Sequence, residues 1–353
     1  MKTWDVLIIG GGIIGLTLAL ALRKRGATVL VVERGEPGRE ASHAAGGMLV
    51  DCSLETPAAL QPLATASARM YPEFAEALQF ESGIHVDLRD HGTIVFPPRE
   101  HVHERPGFTV ASLLPAPLAE LEPALADSQA PAFLLKERSV DPRALTAAAW
   151  KTAKRRGVDF SSGDAVEAIT VVNGRATGVK TVKTSFHSSK IVNCAGAWSG
   201  LLGPQPFPTR PVKGQMLCLV LSSRTLLRHV IRSPQAYLIP RSDGRLLVGA
   251  TVEEAGFDKR TDPATIQCFH RAAIEMVPEL RNAKILEDWA GLRPGTPDAL
   301  PILGATATPD YYVATGHFRD GILLAPVTGD VMAAVIEGRT PEYDLTAFSP
   351  ARF

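Results

Sequence analysis

VLIIGGGIIGLTLALALRKRGATVLVVER, residues 6–34, is the stretch of sequence that decides the fold. Its apolar start predicts a buried strand over 5–9, and the glycine pattern GGGIIG follows at residues 10–15. The pattern then predicts a helix over 15–25 and a second strand over 27–33. A GxGxxG between a strand and a helix is typical of a βαβ unit that binds a dinucleotide, because its glycines allow a tight turn and a close approach of the backbone to a pyrophosphate.

Glu33 stands at the end of the second predicted strand, eighteen residues after Gly15. A carboxylate at this place can accept hydrogen bonds from both ribose hydroxyls of an adenosine. The motif alone leaves open whether the dinucleotide is FAD or NAD. Residues 6–22 also have the apolar character of a signal sequence or membrane anchor, but four glycines interrupt them and the βαβ unit accounts for them in detail. We therefore expect a cytoplasmic protein.

The composition predicts a globular protein without a strong net charge. Lysines and arginines number 37, as do aspartates and glutamates, and 45% of the 353 residues are hydrophobic. A chain of this kind can form one large domain or two intimate domains. Its balanced charge favours neither nucleic acid nor an anionic membrane as a partner, so we expect a small molecule.

The cysteines predict no disulfide framework and no metal site. They are scattered without a CxxC pair, at Cys52, Cys194, Cys218 and Cys268. This spacing suits a reducing compartment, and we interpret all four as buried or incidental.

The rest of the chain predicts blocks of helix alternating with antiparallel strands. Helical patterns lie at 56–80, 141–156, 263–276 and 327–336. The strand pattern over 85–96 predicts a hairpin. The patterns at 158–166, 168–172 and 176–182 predict a meander with a turn at Asn173-Gly174. Further strands are predicted at 190–194, 212–220, 236–240, 246–251 and 311–315. Residues 97–131 predict irregular excursions with short helices. The order indicates a discontinuous dinucleotide domain of residues 1–80, 141–205 and 285–353, with a substrate-binding domain of 81–140 and 206–284.

The segment after the βαβ unit, SHAAGGML at residues 42–49, is a loop of small residues that can lie flat beside a flavin ring. Here the chain resembles the D-amino-acid oxidase superfamily, and within it the glycine oxidases. The resemblance recurs in order at VNCAGAWS (192–199), PVKGQML (211–217), AYLIPRSDGRLLVGAT (236–251), WAGLRPGTPDALPILG (289–304) and TGHFRDGILLAP (315–326). It implies an α/β fold in which a Rossmann-like FAD-binding domain of the glutathione-reductase/D-amino-acid oxidase type is joined to an antiparallel-sheet substrate domain.

The resemblance also selects FAD as the dinucleotide. Sarcosine-oxidase relatives attach their flavin through a cysteine in the C-terminal half, and this chain has none after Cys268, so we expect non-covalent FAD. Together, the glycine pattern and the resemblance assign FAD contacts to Gly10, Gly12, Ile13, Ile14, Gly15, Glu33, Arg34, Ala41, Ser42, Ala45, Gly46, Gly47, Met48, Val166, Ala195, Gly196, Trp198, His317, Phe318, Arg319, Asp320, Gly321, Ile322 and Leu323.

A cation for a substrate carboxylate is predicted at Arg293, because the planar fork of arginine binds a carboxylate in a bidentate way. The resemblance places the same role on Arg293 and implies that Tyr237 and Arg319 also lie against the substrate, which makes these three the candidate catalytic residues. Met48 joins them as a wall of the substrate site. The alternatives are a structural role for each arginine and an ordinary strand aromatic for Tyr237.

The resemblance implies oxidation of glycine and small D- or N-methyl amino acids by hydride transfer from the substrate Cα to flavin N5. The products would be the 2-oxo acid, ammonia and, with dioxygen as acceptor, hydrogen peroxide; the imine from glycine could instead supply thiamine thiazole synthesis. One alternative is a D-amino-acid or proline dehydrogenase that passes electrons to a quinone or carrier. Another is a binding module that retains FAD without catalysis. The glycine oxidases also imply a homotetramer.

The loop over 316–323 precedes a predicted helix. The positive N-terminal end of that helix could stabilise the reduced flavin at N1/C2=O. His43 and His317 lie in flavin-side loops without an evident partner for a role as base. Gln235 and Val252 depart from the residue types that line the pocket of glycine oxidases. The preferred amino acid can therefore differ.

Overall fold

The computed structural model describes residues 2–51, 56–96, 111–113, 115–125 and 132–353. Within these ranges one sheet contains eight strands, numbered in chain order: β1 (Trp4–Ile9), β2 (Val29–Glu33), β9 (Asp159–Ser162), β10 (Val166–Val172), β11 (Arg175–Thr181), β12 (Ser185–Asn193), β18 (Ile302–Ala305) and β19 (Tyr311–Thr315). Strands β1, β2, β9, β12 and β19 pair in parallel, whereas β10, β11 and β18 pair antiparallel to their neighbours.

A second sheet of the described residues also has eight strands: β5 (Thr93–Val95), β6 (Ala111–Leu113), β7 (Ala132–Leu135), β13 (Arg210–Val220), β14 (Val230–Arg232), β15 (Tyr237–Pro240), β16 (Arg245–Gly249) and β17 (Lys284–Gly295). It is antiparallel except where β14 pairs with β5. A small third sheet comprises β3 (Met48–Leu49), β4 (Leu88–Arg89) and β8 (Arg138–Val140), in the order β3-β8-β4.

The described helices are α1 (Ile13–Lys24), α2 (Ala41–Ala44), α3 (Gln61–Ser82), α4 (Pro115–Leu121), α5 (Pro142–Arg155), α6 (Pro263–Met276) and α7 (Ala325–Ile336). Asp141 caps α5 and Asp262 caps α6, each accepting two backbone N–H groups that the first turn leaves unpaired. Proline follows each cap because its missing N–H costs nothing at that position. None of these helices is long and apolar enough to cross a membrane.

The predicted βαβ unit is present, and the α/β fold class is confirmed. Residues 6–22 form most of β1 and α1, and β1 lies between β12 and β2 in the parallel sheet. Helix α1 packs against α7 and α5, burying Leu16, Leu18 and Leu22 in the largest hydrophobic cluster. A second cluster lies between the antiparallel sheet and α6.

Two predicted strand pairings are wrong. The expected hairpin over 85–96 does not form, because β4 pairs with β8 while β5 pairs with β7 and β14. Gly92, with a φ of +99°, makes the expected turn, but the chain on its two sides enters different sheets. The expected meander starts one strand later, since β9 follows helix α5 and pairs in parallel with β2. Strands β10 and β11 do form a hairpin at Asn173-Gly174, where both residues have positive φ.

The predicted domain boundary at residue 285 cuts through a strand of the second sheet. Strand β17, which the prediction assigned to the dinucleotide domain, pairs along its whole length with β13. Apolar and charged residues alternate irregularly in β17, so the sequence alone did not show its partner. Of the stretch 97–131, residues 97–110, 114 and 126–131 lie outside the described residues, and the rest contains β6 and α4.

Candidate active site

The glycine turn between β1 and α1 accepts no side chain at its two tightest points. Gly10 has a φ of +105°, and a Cβ on it would lie 2.5 Å from the carbonyl oxygen of Cys194. A Cβ on Gly15 would lie 2.1 Å from the carbonyl oxygen of Gly10. At Gly12, the N-cap of α1, a Cβ would meet only the Ser42 hydroxyl at 3.4 Å. The turn therefore has the narrow backbone and the open helix end that a pyrophosphate requires.

Glu33 is fixed at the end of β2 by two backbone hydrogen bonds. Its Oε2 accepts the N–H of Gly11 at 2.8 Å, and its Oε1 accepts the N–H of Gly35 at 2.9 Å. Each carboxylate oxygen keeps a second lone pair for a ribose hydroxyl. The backbone carbonyl of Glu33 accepts the N–H of Asp164, which brings the start of β10 at Val166 close to this end of the site.

An aromatic stack lies next to Glu33, at the end of the site predicted to bind the adenosine. The Arg34 guanidinium lies 3.4 Å from the centre of the Trp198 ring, and Phe257 stacks on Trp198 with ring centres 5.2 Å apart. Arg34 and Lys259 both form ion pairs with Glu40. The segment between β16 and α6, which contains Phe257 and Lys259, thus covers residues predicted to contact FAD, and no sequence motif predicted this cover.

Ser42 ties the loop of small residues to the glycine turn, because its hydroxyl accepts the N–H of Ile13 at 3.0 Å. Gly46 lies against the second sheet, where a Cβ on it would be 2.8 Å from Ile239. Gly47 has a φ of +74°, and a Cβ on it would lie 2.0 Å from the carbonyl oxygen of Val140. The loop therefore runs in a slot between the second and third sheets that only small residues fit.

Arg241 binds the backbone of the loop of small residues and was not predicted as a functional residue. It is 1% exposed, and its Nη2 donates to the carbonyl oxygen of Gly46 at 2.6 Å. Burial lowers the pKa of this arginine to about 10, and nearby Asp141 and Asp87 offset part of that effect. The side chain remains a cation near neutral pH and anchors the loop.

The structure brings Tyr237 and Arg293 together. Burial lowers the pKa of Arg293, and the neighbouring Tyr237 counteracts this shift. Burial likewise raises the pKa of Tyr237, opposed by Arg293 and then by Arg319. The three candidate catalytic residues thus interact electrostatically within one site. Met48 packs on the same apolar cluster as Tyr237, which donates its hydroxyl to the weak acceptor Met216 Sδ at 3.4 Å.

The guanidinium of Arg293 is held by the backbone of the second sheet. Its Nη1 donates to the carbonyl oxygens of Thr251 at 3.0 Å and Lys213 at 3.3 Å. It lies over Gly214, where a Cβ would be only 2.2 Å from Nη1 and 2.3 Å from Nη2. Sequence reasoning missed these supports because a backbone carbonyl has no sequence signature; the glycine inside PVKGQML was the available clue.

The loop over 316–323 lies next to Arg293, since the N–H of Phe318 donates to the carbonyl oxygen of Pro294 at 3.0 Å. Helix α3 anchors it from the other side: Tyr71 donates to the carbonyl oxygen of Ile322, and Ser67 donates to that of Leu323 at 2.6 Å. A helical turn from Asp320 leads into α7. Arg319 is exposed, with its guanidinium 5.3 Å from the Phe318 ring.

Three titratable groups in the loops predicted to contact the flavin have shifted pKa values. His317 is 2% exposed, contacts the Thr328 hydroxyl at 3.1 Å, and has its pKa lowered to about 3 by burial. Burial and then Arg143 lower the pKa of His43. Burial raises the pKa of Asp320 to about 6, opposed by Arg319. Neither histidine therefore carries a positive charge near neutral pH.

The other predicted FAD contacts lie on the segments already described. Ile13 is buried and Ile14 half-buried at the start of α1, Ala41 begins α2, and Ala45 packs on the main core. Ala195 and Gly196 directly follow Cys194, whose carbonyl lies against Gly10. Gly321 lies against the side chain of His317. Their contacts with FAD stay predictions.

Two positions that depart from the glycine oxidase pocket are exposed, and the described cysteines are free thiols. Gln235 is exposed and Val252 is 52% exposed, so their effect on the pocket stays a prediction. Cys194 and Cys218 are buried and Cys268 is exposed, all as free thiols, whereas Cys52 lies outside the described residues. The described ranges contain no group of three histidine, cysteine, aspartate or glutamate side chains that could hold a metal ion.

Comparisons with known proteins agree with this geometry. The profile of the family described as FAD dependent oxidoreductase matches residues 5–335. The bifunctional protein ThiO/ThiG of Trichormus variabilis is 34% identical over 99% of this chain, which spans 55% of that relative's length. The glycine oxidase of Pseudomonas aeruginosa is 32% identical over 98% of both chains. The crystal structure of glycine oxidase from Geobacillus kaustophilus has a TM-score of 0.94 and 31% identity, covering 100% of both chains.

Proposed function

Because this chain belongs to the family of FAD-dependent oxidoreductases, we propose that it oxidises glycine and small D- or N-methyl amino acids at Cα. The observation that carries the proposal is the pair of Arg293 and Tyr237 beside the loop of small residues. A mostly buried guanidinium with a phenol hydroxyl next to it is suited to bind a carboxylate through charge-assisted hydrogen bonds. All amino acids share this carboxylate, so the pair supports an amino-acid substrate.

The residues of the site fit FAD. The turn of Gly10 and Gly15 suits the pyrophosphate, the fixed carboxylate of Glu33 suits the ribose, and the slot that holds Gly46 and Gly47 suits a flat ring beside it. When bound, FAD would supply the oxidising ring whose N5 would serve as hydride acceptor for the substrate Cα. We expect its attachment to be non-covalent.

The chain contributes orientation. Arg293 and Tyr237 hold the carboxylate at one end of the site, so the Cα–H of a small substrate faces the loop of small residues. Met48 and Met216 form an apolar wall that keeps water from this end. Arg319 adds a second positive charge beside Tyr237.

The substrate amine must be neutral to lose a hydride from the adjacent carbon. His317 and His43 both have lowered pKa values and are not assigned as bases, so the amine loses its proton to solvent before the reaction. Turnover should then increase as pH rises toward the pKa of the bound amine. The imine product hydrolyses to the 2-oxo acid and ammonia, or supplies thiazole synthesis for thiamine.

We further propose dioxygen as the electron acceptor, because the similar proteins from Pseudomonas aeruginosa and Geobacillus kaustophilus are glycine oxidases. We propose a homotetramer as the assembly, which is what the resemblance to glycine oxidases implies. A dehydrogenase that reduces a quinone or carrier is the alternative. The two differ in what happens to the electrons after the substrate has been oxidised.

The experiment is peroxide release under air from the purified yellow protein with glycine, sarcosine, D-alanine, D-proline and L-alanine in parallel. Peroxide with glycine or a D-amino acid supports the oxidase and ranks the substrates. Bleaching of the flavin without peroxide, together with reduction of an added dye, supports the dehydrogenase. An unbleached flavin with every substrate contradicts the amino-acid assignment.

A further inference from the structure

A short return of the chain after β16 supports the candidate carboxylate-binding arginine. Residues 250–253 leave β16 and pair with the start of β13 through two backbone hydrogen bonds between Lys213 and Glu253, both of 2.9 Å. The carbonyl oxygen of Thr251 lies within this return and accepts from Arg293 Nη1 at 3.0 Å. Of the two carbonyl oxygens that accept from Nη1, this one makes the shorter hydrogen bond, and the other, that of Lys213, is 3.3 Å away.

The side chain of Thr251 is fixed by the same strand. Its Oγ1 accepts the backbone N–H of Gln215 at 2.9 Å and donates to the Glu253 carboxylate. Gln215 donates from Nε2 to Glu253 Oε1 at 2.8 Å, and the Lys213 Nζ lies 3.6 Å from Glu253 Oε2. Gln215 and Lys213 are buried, at 1% and 6% exposed. The threonine hydroxyl is therefore clamped between a buried strand and a carboxylate that is itself held by two side chains.

We infer that Thr251 is a positioning residue for carboxylate binding: its hydroxyl fixes its own backbone carbonyl, and that carbonyl fixes the guanidinium of Arg293. The inference rests on the proposed function, because it concerns the group that binds the substrate carboxylate. Glu253 completes the clamp by accepting the hydroxyl proton. Thr251 itself donates nothing to the substrate in this arrangement.

A charge-neutral substitution tests this role. Changing the charged Glu253 would leave the buried Lys213 without its carboxylate and would alter the field on Arg293. Thr251→Val keeps the shape and removes both hydroxyl contacts, and Thr251→Ser restores the hydroxyl. Thr225→Val is the matched control, since Thr225 is exposed and its hydroxyl shares a hydrogen bond with Ser223.

The measurements are the Kd of glycolate, read from the flavin absorbance of the FAD-loaded protein, and KM and kcat for glycine. Glycolate carries the carboxylate of glycine without its amine. For Thr251→Val we expect the Kd and KM to rise about tenfold, the effect of losing roughly one charge-assisted hydrogen bond. We expect kcat to change less than about twofold, because the carboxylate is bound equally before and during hydride loss. Thr251→Ser should restore wild-type values.

Three results would overturn the inference: unchanged Kd and KM in Thr251→Val, an equal rise in Thr225→Val, or no recovery in Thr251→Ser. If Thr251→Val does not retain FAD, the Thr251→Ser protein is compared with wild type, and a Kd for glycolate raised tenfold despite the restored hydroxyl contradicts the role. Failure of the proposed function itself has a different signature, because wild-type protein would then show no oxidation of glycine.

Discussion

Gly214→Ala should displace the candidate carboxylate-binding arginine while leaving the fold intact. The new Cβ would lie 2.2 Å from Arg293 Nη1 and 2.5 Å from Cζ, whereas ordinary contacts begin at 3.4 Å. The clashing atoms are the end of a flexible side chain, so the guanidinium moves rather than the sheet. Gly214 does not adopt the left-handed backbone that would make alanine strained.

The displacement has a calculable consequence for binding. Nη1 must move from 2.2 Å to at least 3.4 Å from the Cβ position, which disrupts its 3.0 Å hydrogen bond to the Thr251 carbonyl and shifts the guanidinium from the position in which we propose that it binds the carboxylate. Losing one hydrogen bond to a charged group costs about 1.5–3 kcal/mol, which corresponds to a roughly 10- to 150-fold rise in KM for glycine. The thermal midpoint should stay within about 3 °C of wild type, because the packing change amounts to ~1 kcal/mol or less.

The assay is a double-mutant cycle of Gly214→Ala and Arg293→Ala, with KM for glycine, FAD content and thermal midpoint measured for each protein. In the Arg293→Ala background the added alanine meets no guanidinium, so its effect on KM should vanish. A wild-type KM for Gly214→Ala would refute the reasoning. So would an equal rise in both backgrounds, since that would locate the effect away from Arg293.

The remaining predictions concern FAD and pH. Gly10→Ala should abolish FAD retention, because its Cβ would lie 2.5 Å from the Cys194 carbonyl; flavin absorbance after gel filtration checks this, and normal yellow protein would contradict it. Phe257→Ala should uncover Trp198 and speed FAD release, measured as recovery of flavin fluorescence on dilution; an unchanged rate would show that the stack plays no part. The pKa of Asp320 is raised to about 6, so the folded protein binds this proton more tightly than the unfolded chain and stability falls as pH rises to that value. Asp320→Asn should therefore raise the thermal midpoint above about pH 6 and not below about pH 4, whereas a constant difference would contradict the shift.

The sequence carried enough information to predict the family, its FAD cofactor and the βαβ unit. Glycines that tolerate no Cβ, as at Gly10 and Gly15, leave a spacing that few other structures require. Elements with local end signals were also predictable: the helix expected over 263–276 is α6, Pro263–Met276, because Asp262 and Pro263 mark its start. The strand expected over 311–315 is β19, Tyr311–Thr315.

The features that the sequence did not predict depend on contacts between residues far apart along the chain. The partners of β5 and β17 are chosen by packing against distant strands, and the alternation within each strand fits several partners. The structure places Tyr237 and Arg293 side by side, while their role in binding substrate stays a proposal. The supports of Arg293 are backbone carbonyls, which every residue has, so no pattern of side chains could point to Thr251.

The most direct test of the central claim is anaerobic mixing of the FAD-loaded protein with glycine, followed through the flavin absorbance. We predict that the yellow colour bleaches at a rate that saturates with glycine, and that Arg293→Ala needs on the order of a hundredfold more glycine while it keeps its FAD. A flavin that stays oxidised with glycine, sarcosine and D-alanine, or an Arg293→Ala protein that bleaches like wild type, would contradict it.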